Sequence, residues 1–178
     1  MDKQRGFEVA KGFEDKSINL PKRSTKNSAG YDFEVEQDTI IKSLPQTLAK
    51  QIFKFLIGKE EWDKELVIKS LKPSLVSTGV KSYMMDDEVL YLYNRSSNPL
   101  KKLLILANGV GVIDSDYYEN KDNDGHIMFQ FINLLPFDIT LKKGEKIGQG
   151  VFSKFLKTDS DNANGSRVGG FGSTNETK

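Results

Sequence analysis

Cysteine is absent from this sequence of 178 residues, and histidine occurs once, as His126. Without cysteine the chain has neither a disulfide framework nor a thiolate zinc site, and a single histidine excludes a histidine-rich metal site. A reducing compartment is compatible with this composition. Because His126 follows the polar stretch Asp122–Gly125, we interpret it as a solvated loop residue.

A strong net charge and a long apolar run are also missing. The formal net charge is +1, so bulk attraction to nucleic acid or to a membrane surface is not expected. The longest wholly aliphatic run, Leu103–Ala107, is far shorter than the roughly 20 residues of a membrane span. The segment Met1–Gly6 lacks the apolar stretch of a secretory signal. We therefore expect a cytoplasmic protein with no nucleic-acid partner and no membrane partner.

The remaining composition is ordinary for a globular chain, and its patterning is mostly that of β-strands. Hydrophobic residues make up 37% and charged residues 29%, and the length suffices for one domain with a core. Tyr31, Phe33 and Val35 alternate with acidic residues, which is the period-two pattern of a half-buried strand. Similar patterns predict strands at 89–94, 127–132 and 137–141.

One segment, residues 43–70, has the pattern of a helical insertion. Its apolar residues recur at helical spacing as Leu48, Ile52, Phe55 and Leu56. Ser43 and Gln46 have the spacing of a capping box, Gly58 is a typical helix stop, and a second short helix is predicted over 60–66. Two interpretations stay open. The insertion is either a flap that packs its apolar stripe on its own domain, or an accessory surface for a partner protein, which its flanking charges support.

Two turn motifs and the C-terminal segment complete the pattern. Asn98 followed by Pro99 is typical of a helix start with Asn98 as the N-cap. Asn108–Gly109 is typical of a tight hairpin turn. Residues 158–178 are rich in Asp, Asn, Gly, Ser and Thr and, alone, should be disordered. We expect one β domain over 1–157, followed by a flexible arm over 158–178.

Five short motifs follow one another along the chain. They are Ser28–Asp32, Arg95–Ser97, Asn108–Tyr117, Gly144–Gln149 and Arg167–Thr174. Each is unspecific alone, but together, over about residues 20–174, they resemble the five motifs of the trimeric dUTPase family. The resemblance implies an all-β fold, a distorted jelly-roll β-barrel, and a homotrimer whose active sites combine motifs from three subunits. It also implies an enzyme that hydrolyses dUTP to dUMP and pyrophosphate with Mg²⁺. A phage-encoded or a bacterial member fits the departures from the commonest cellular pattern.

The third motif carries the reacting group that the resemblance implies. A carboxylate beside a phosphorus centre can accept a proton from an attacking water, and the resemblance assigns this role to Asp114. It places Asn108 at the uracil and Tyr117 against the deoxyribose, where the ring leaves no room for the 2′-hydroxyl of UTP. The other substrate contacts implied for this motif are Gly111, Val112 and Ile113.

The first, second and fourth motifs supply groups suited to a triphosphate. The Arg95 guanidinium matches phosphate oxygens, and Ser96 and Ser97 add donors at a helix start. Gln149 can donate an amide proton to the α-phosphate. The resemblance implies that Asp32 holds water ligands of a Mg²⁺ ion whose direct ligands come from the triphosphate.

The fifth motif, in the arm, is rich in glycine, which lets a backbone wrap around phosphates. The resemblance places Arg167 at the γ-phosphate and Phe171 over the uracil ring. The other substrate contacts implied for the arm are Gly172, Ser173 and Thr174. The family usually has Gly after the two hydroxyl residues, whereas Asn175 follows here, so the closure of the arm stays open.

Two alternative functions stay open at this point. A dCTP deaminase shares the fold family, but deamination needs a general acid/base such as glutamate near the pyrimidine, and the third motif contains none. The other is a regulatory binding protein that uses a nucleotide site as a switch. The helical insertion makes such a role possible beside catalysis.

Overall fold

Residues 3–58, 64–165, 167 and 169 are described by the computed structural model, and strands predominate within them. The strands are β1 (Gly6–Val9), β2 (Lys22–Arg23), β3 (Tyr31–Glu34), β4 (Thr39–Ile41), β5 (Ser74–Ser77), β6 (Val80–Tyr83), β7 (Glu88–Asn94), β8 (Leu104–Leu106), β9 (Gly111–Asp114), β10 (Met128–Asn133), β11 (Ile139–Leu141) and β12 (Lys146–Lys154). The helices are α1 (Leu44–Leu56), α2 (Lys64–Ser70) and α3 (Ser97–Lys102), with 3₁₀ turns at Glu14–Lys16 and Ser115–Tyr117. No helix in these ranges is long and apolar enough to cross a membrane.

Strand β12 is the central strand of the largest sheet, whose order is β2-β3-β12-β7-β9. It pairs antiparallel with β3 on one side and with β7 on the other. The other strands form a three-stranded sheet, β5-β10-β8, and two ribbons, β1-β6 and β11-β4. The predicted all-β fold with a small helical insertion is therefore confirmed.

The hydrophobic core draws side chains from all four of these sheets. Its largest fully buried side chains include Phe33, Leu90, Phe129, Phe131 and Ile147. The rings of Phe33 and Phe129 pack with their centroids 5.5 Å apart. A Cβ at Gly148 would lie 2.0 Å from Phe129 Cε1, so β12 passes the core only because it has glycine at this position.

The helix predicted at the insertion is present, with its N-cap at the predicted residue. Helix α1 begins after Ser43, whose Oγ accepts a hydrogen bond from the backbone N–H of Gln46 at 3.0 Å. The Ser43 N–H donates to Asp138 Oδ1 at 2.8 Å, and this carboxylate takes the place of the side chain that completes a capping box. Gly58 follows the helix with a φ of +66°, as its role as a helix stop requires.

The apolar stripe of α1 remains accessible. No residue of this helix is buried, and the exposed fractions are 37% for Leu48, 42% for Ile52, 47% for Phe55 and 73% for Leu56. The interpretation of a flap that packs this stripe on its own barrel is therefore wrong for α1. Helix α2 extends to Ser70, beyond the predicted end at residue 66, and the first part of the predicted span, residues 60–63, lies outside the described residues.

The two ends of the insertion meet neighbouring positions of β10. Ser43 forms a bridge with Asn133, and Ser74, the first residue of β5, pairs with Phe131. Those two positions of β10 are roughly 7 Å apart along the strand. The insertion therefore leaves the barrel and returns to it at nearly the same place.

Two local features of the structure differ from the sequence predictions, namely the N-cap of α3 and the turn at Asn108–Gly109. Helix α3 has Ser96, not Asn98, as its N-cap, and Asn98 is buried with its Nδ2 donating to Ile147 O at 2.8 Å. That bond to β12 holds Asn98 inside the helix. Asn108–Gly109 forms a turn, with Gly109 at a φ of +69°, but not a hairpin, because β8 pairs with β10 whereas β9 pairs with β7.

Candidate active site

Asp32, on β3, is itself nearly buried and is the centre of a partly exposed polar cluster. Its Oδ2 accepts from Lys146 Nζ at 2.8 Å and from Ser24 Oγ at 2.7 Å, and Gln149 Nε2 donates to its Oδ1 at 3.3 Å. The Nε of Arg95 lies 3.7 Å from the same Oδ1. The structure thus brings together three of the predicted residues, Asp32, Arg95 and Gln149, from three separate motifs.

The cluster keeps the carboxyl of Asp32 ionised. Burial is the largest influence on it and opposes ionisation, but hydrogen bonds from its three donors outweigh burial, so the pKa of Asp32 lies below its ordinary value. Since Lys146 and Arg95 are both cationic, one positive charge remains in excess. A local site of this kind attracts phosphate although the chain as a whole is nearly neutral.

Lys146 and Ser24 are members of the cluster that sequence reasoning missed. A regular strand would direct residues three apart, such as Lys146 and Gln149, to opposite faces. An irregularity between Lys146 and Gly148 shifts the register of β12 against β3, and both side chains reach Asp32. The sequence offers one signal, that Lys146 stands inside the fourth motif, whereas Ser24 lies outside all five.

The second motif joins β7 to α3 beside this cluster. Arg95 directly follows β7, and its Nη1 donates to Lys146 O at 3.4 Å. Ser96 is the exposed N-cap of α3, and Ser97 is the first residue of the helix. Two hydroxyl groups and the first amides of a helix therefore follow the guanidinium that contacts Asp32.

Asp114 ends β9, at the edge of the same sheet. Its side chain is 50% exposed, whereas Ile113 before it is buried. Val112 is exposed, so the core supports only one member of the apolar pair expected to fix Asp114. Asn108 lies in the turn that leads into β9, and Gly111 begins the strand.

Tyr117 lies in the 3₁₀ turn after Asp114 and is buried. Its hydroxyl donates to His126 O at 3.0 Å and accepts from Asn123 Nδ2 at 2.7 Å. Burial raises the pKa of this hydroxyl. The guanidinium carbon of Arg167 lies 5.6 Å from the ring centroid, so the arm covers part of this ring.

His126 is buried, and its interpretation as a solvated loop residue is wrong. The Gly79 N–H donates to His126 Nε2 at 3.0 Å, and the ring packs on Phe13 with centroids 4.5 Å apart. Burial lowers the pKa of His126; Glu36 opposes this effect, and Lys16 adds to it. Because Nε2 accepts a hydrogen bond, the ring is neutral with its proton on Nδ1.

The arm meets the third motif of its own chain. Arg167 Nη2 lies 2.5 Å from Asp114 Oδ2, and Arg167 Nε lies 2.7 Å from Asp116 Oδ1. The structure describes Gly169 as well. Outside the described residues lie the other predicted contacts of the arm, Phe171, Gly172, Ser173 and Thr174.

Within one chain the predicted site residues form two separate groups, one around Asp32 and one around Asp114. Gln149 pairs with Tyr93 on one side of β7, whereas Asp114 pairs with Val89 on the other side. Asp114 is thus two strand spacings from Gln149 and four residues further along, which corresponds to roughly 16 Å between their Cα atoms. Asp32, one strand beyond, is roughly 20 Å from Asp114. A single chain therefore does not present both groups to one phosphorus atom.

The residues around Asp32 fit a Mg²⁺ ion that a triphosphate carries. Such an ion needs a carboxylate for its water ligands, not an all-protein cage. In the described ranges no three acidic, histidine or cysteine side chains group together to hold a metal. Oδ2 of Asp32 already accepts two hydrogen bonds, but Oδ1 accepts one long bond and keeps a lone pair for a metal-bound water.

Comparisons with known proteins place the chain in a family. Residues 62–175 match the dUTPase family model. The sequence is 45% identical to the deoxyuridine 5′-triphosphate nucleotidohydrolase of Lactococcus lactis subsp. lactis (strain IL1403), over 97% of this chain and 98% of that protein. The chain belongs to the dUTPase family.

Further comparisons agree with this assignment, one in sequence and two in fold. The deoxyuridine 5′-triphosphate nucleotidohydrolase of Desulfitobacterium hafniense (strain DSM 10664 / DCB-2) is 30% identical, over 90% of this chain and 89% of its own. The crystal structure of a dUTPase from Streptococcus mutans superposes with a TM-score of 0.67 at 40% identity, over 86% of this chain and 98% of that one. A dUTPase from phage phi11 of S. aureus shares the fold at 14% identity and a TM-score of 0.62, over 92% and 97% of the two chains. The expected jelly-roll type of β fold is thereby confirmed.

Proposed function

We propose that this dUTPase hydrolyses dUTP to dUMP and pyrophosphate by attack of water on the α-phosphorus, with Asp114 as the general base. The observation that carries the proposal is the combination of a cationic cluster around Asp32 with an exposed carboxylate at Asp114. Relatives of this chain are named deoxyuridine 5′-triphosphate nucleotidohydrolases. The cluster suits a triphosphate, and the carboxylate suits the activation of water.

In the proposed reaction the water oxygen attacks the α-phosphorus in line with the leaving oxygen. Asp114 accepts the water proton while the bond from the α-phosphorus to the bridging oxygen breaks, and pyrophosphate leaves with the electron pair. Arg95, Lys146 and Gln149 hold the phosphates, with Ser96 and Ser97 as further donors. Asp32 would hold a Mg²⁺ ion through water, and the ion would supply positive charge against the triphosphate. Most of the rate enhancement then comes from positioning and electrostatics.

Specificity is proposed to lie on the third motif. Strand β9 is the edge strand of its sheet in the described chain, so main-chain groups on its side away from β7 are available to a base. In this role Gly111–Ile113 and Asn108 read the uracil, and the Tyr117 ring excludes a 2′-hydroxyl. A deoxyribose that packs on this ring displaces Arg167 of the same chain, whose guanidinium is then available to the γ-phosphate at another active site of the oligomer.

The separation of the two groups supports a homotrimer with shared active sites. Since Asp114 and Asp32 are roughly 20 Å apart in one chain, a second copy brings its Asp114 to the phosphate cluster of the first. The arm of the third copy supplies Arg167 to the phosphates and Phe171 to the uracil ring. We propose that this trimer acts in the cytoplasm, that of the host if the protein is phage-encoded.

The exposed stripe of α1 supports a second role, a contact surface for a protein partner on the 43–70 insertion. Leu56 is 73% exposed and Phe53 62% exposed, and large apolar side chains grouped on a surface are typical of interaction sites. This role adds to catalysis, because none of the described residues proposed to act on the nucleotide lies in the insertion.

Turnover with four nucleotides tests the proposal. Pyrophosphate release from dUTP should exceed that from UTP, dTTP and dCTP by at least about a hundredfold, and excess EDTA should suppress it. Sedimentation of the full chain should give a trimer. Ammonia release from dCTP would instead identify a deaminase. Tight dUTP binding without turnover would identify a binding protein and overturn the enzymatic proposal.

A further inference from the structure

We infer that Asn123 is a positioning residue for substrate specificity, because its amide fixes the Tyr117 ring through the phenol hydroxyl. Asn123 belongs to residues 118–126, which we call the asparagine loop. This inference rests on the proposed role of Tyr117 against the deoxyribose. According to this inference, the position of the Tyr117 ring is determined by a loop that lies outside the five motifs.

The asparagine loop holds Tyr117 at both ends. At the tip of the side chain, Asn123 Nδ2 donates to the phenol oxygen at 2.7 Å, and the phenol donates to His126 O at 3.0 Å. At the backbone, Asn120 Nδ2 donates to Tyr117 O at 2.8 Å. The phenol oxygen lies on the long axis of the tyrosine ring, so bonds at the main chain and at the hydroxyl together fix the direction of that axis and hence where the ring lies.

Internal hydrogen bonds brace the loop and orient the Asn123 amide. Its Oδ1 accepts from Asn120 Nδ2 at 2.8 Å and from Gly125 N at 3.2 Å, which leaves Nδ2 to face the phenol. Asn120 Oδ1 in turn accepts from the N–H groups of Asp122 and Asn123. Gly125 has a φ of +80°, and a Cβ there would lie 2.8 Å from Tyr117 O, so the loop closes this tightly only with glycine.

The loop is also anchored to the barrel. Lys81, on β6 and nearly buried, places its Nζ 2.9 Å from Asp124 and 3.0 Å from Glu119. At the end of the loop, His126 Nε2 accepts the Gly79 N–H. Because ion pairs and a buried hydrogen bond tie the loop to the strands, the ring has a fixed position relative to β9. The loop therefore holds the Tyr117 ring in one position relative to the barrel.

The expected consequence concerns selectivity more than chemistry. The loop makes hydrogen bonds with Tyr117, whereas the contact described for the Asp114 side chain is with Arg167, which lies outside the loop. A loosened ring should admit the 2′-hydroxyl of UTP more easily and leave the proton transfer at Asp114 unchanged. The ratio of kcat/KM for dUTP to kcat/KM for UTP is the quantity that reports ring position.

The test begins with Asn123→Asp in the full chain. This variant keeps the shape and the acceptor of the amide but removes the donor that faces the phenol. The single phenol proton can then go to the new carboxylate or to His126 O but not to both, so one of the two hydrogen bonds at the hydroxyl is lost. We expect the dUTP-to-UTP ratio to fall about fivefold, the effect of one lost hydrogen bond, while kcat for dUTP stays within about twofold. Lys121→Gln, at an exposed position of the same loop, is the matched control and should leave the ratio unchanged.

A double-mutant cycle separates positioning through the phenol from a general effect on folding. Tyr117→Phe keeps the ring and removes the hydroxyl, so it should lower the ratio as Asn123→Asp does, and the double variant should lower it no further. Additive effects, or an unchanged ratio in folded Tyr117→Phe, would overturn the inference even if Asn123→Asp failed to fold.

The proposed function and the inference fail in distinguishable ways. A wild-type protein without dUTP turnover would remove the proposed function itself. An active wild type whose ratio is unchanged in Tyr117→Ala would remove the role of the ring, and the inference with it. An active wild type whose ratio falls in Tyr117→Ala but not in Asn123→Asp would overturn the inference alone.

Discussion

Arg167 Nη2 and Asp114 Oδ2 lie 2.5 Å apart within one chain, while Arg167 Nε contacts Asp116. The pair joins a residue expected at the γ-phosphate to the residue proposed as the general base. As long as the ion pair between Arg167 and Asp114 is formed, one carboxylate oxygen of Asp114 faces a cation and not a water molecule. A triphosphate that attracts Arg167 would therefore also leave Asp114 free to accept a proton.

Asp114→Asn should keep the fold and dUTP binding but lower kcat at least about a hundredfold, because the amide has the shape of the carboxylate and cannot accept the proton. Stopped-time pyrophosphate assays and calorimetric binding of dUTP measure the two effects. Asp116→Asn is the matched control, since Asp116 is also exposed and also pairs with Arg167. Near wild-type turnover by Asp114→Asn would refute its role as the base.

Two inactive variants should restore activity when their subunits mix. Asp114→Asn lacks the base, and Arg95→Ala lacks a phosphate ligand, but a shared site can combine an intact half of each. Random exchange in an equimolar mixture should give roughly a quarter of wild-type activity. The measurement is turnover after mild denaturation and joint refolding, with each variant refolded alone as the control. Sites formed within single chains predict no recovery.

Deletion of residues 164–178 should leave a folded trimer with little activity. The deleted arm carries Arg167, whereas the barrel core described above ends before it. Thermal unfolding and sedimentation should match the full chain, and kcat/KM for dUTP should fall at least about a hundredfold through loss of charged contacts. The single variant Arg167→Ala should account for part of that loss. Full activity in the truncated protein would remove the arm from the site.

Replacement of residues 44–70 by a short Gly-Ser turn should keep dUTP hydrolysis within about tenfold, a barrier change of about 1.4 kcal/mol. Ser43 is retained because its Oγ donates to Leu135 O and its N–H donates to Asp138. The two ends adjoin on β10, so a short turn can close the gap. Turnover of a properly folded trimer is the readout, and a far larger loss would mean that the insertion helps to build the active site.

Stability should fall as the pH drops below about 6.5. Burial lowers the pKa of His126, so the unfolded chain takes up this proton more readily than the folded one. The neutral ring thus favours folding fully above the ordinary pKa, and this contribution is lost as the pH falls. Thermal unfolding between about pH 8 and pH 5.5 measures it. His126→Gln keeps an acceptor for Gly79 and should flatten this part of the profile; an identical slope in both proteins would contradict the prediction.

Local features of the fold could be predicted from the sequence, and tertiary ones could not. The Ser43 cap and the Gly58 stop were predictable because both depend on residues within one helical turn. Asn98 was wrongly expected to cap α3, since its bond to Ile147 on β12 is set by the packing of distant segments. The burial of His126 likewise depends on Gly79 and Phe13, which no local pattern connects to it.

The composition of the site was predictable, and its arrangement was not. Asp32, Arg95 and Gln149 do meet, as their motifs implied. That Lys146 joins them depends on an irregularity in β12, which the sequence does not reveal. The distance that separates this cluster from Asp114 follows from strand order, a property of the whole sheet.

Because Ser43 and Ser74 bond to neighbouring positions of β10, the chain between them can change in length or sequence without altering the pairing of any strand. In evolutionary terms, the chain between Ser43 and Ser74 is a site at which a whole segment can be inserted, replaced or deleted. A lineage can gain, exchange or lose the helical segment in a single insertion or deletion. Selection on what that segment contacts can then proceed separately from selection on nucleotide hydrolysis, since none of the described residues proposed to act on the nucleotide lies in the segment.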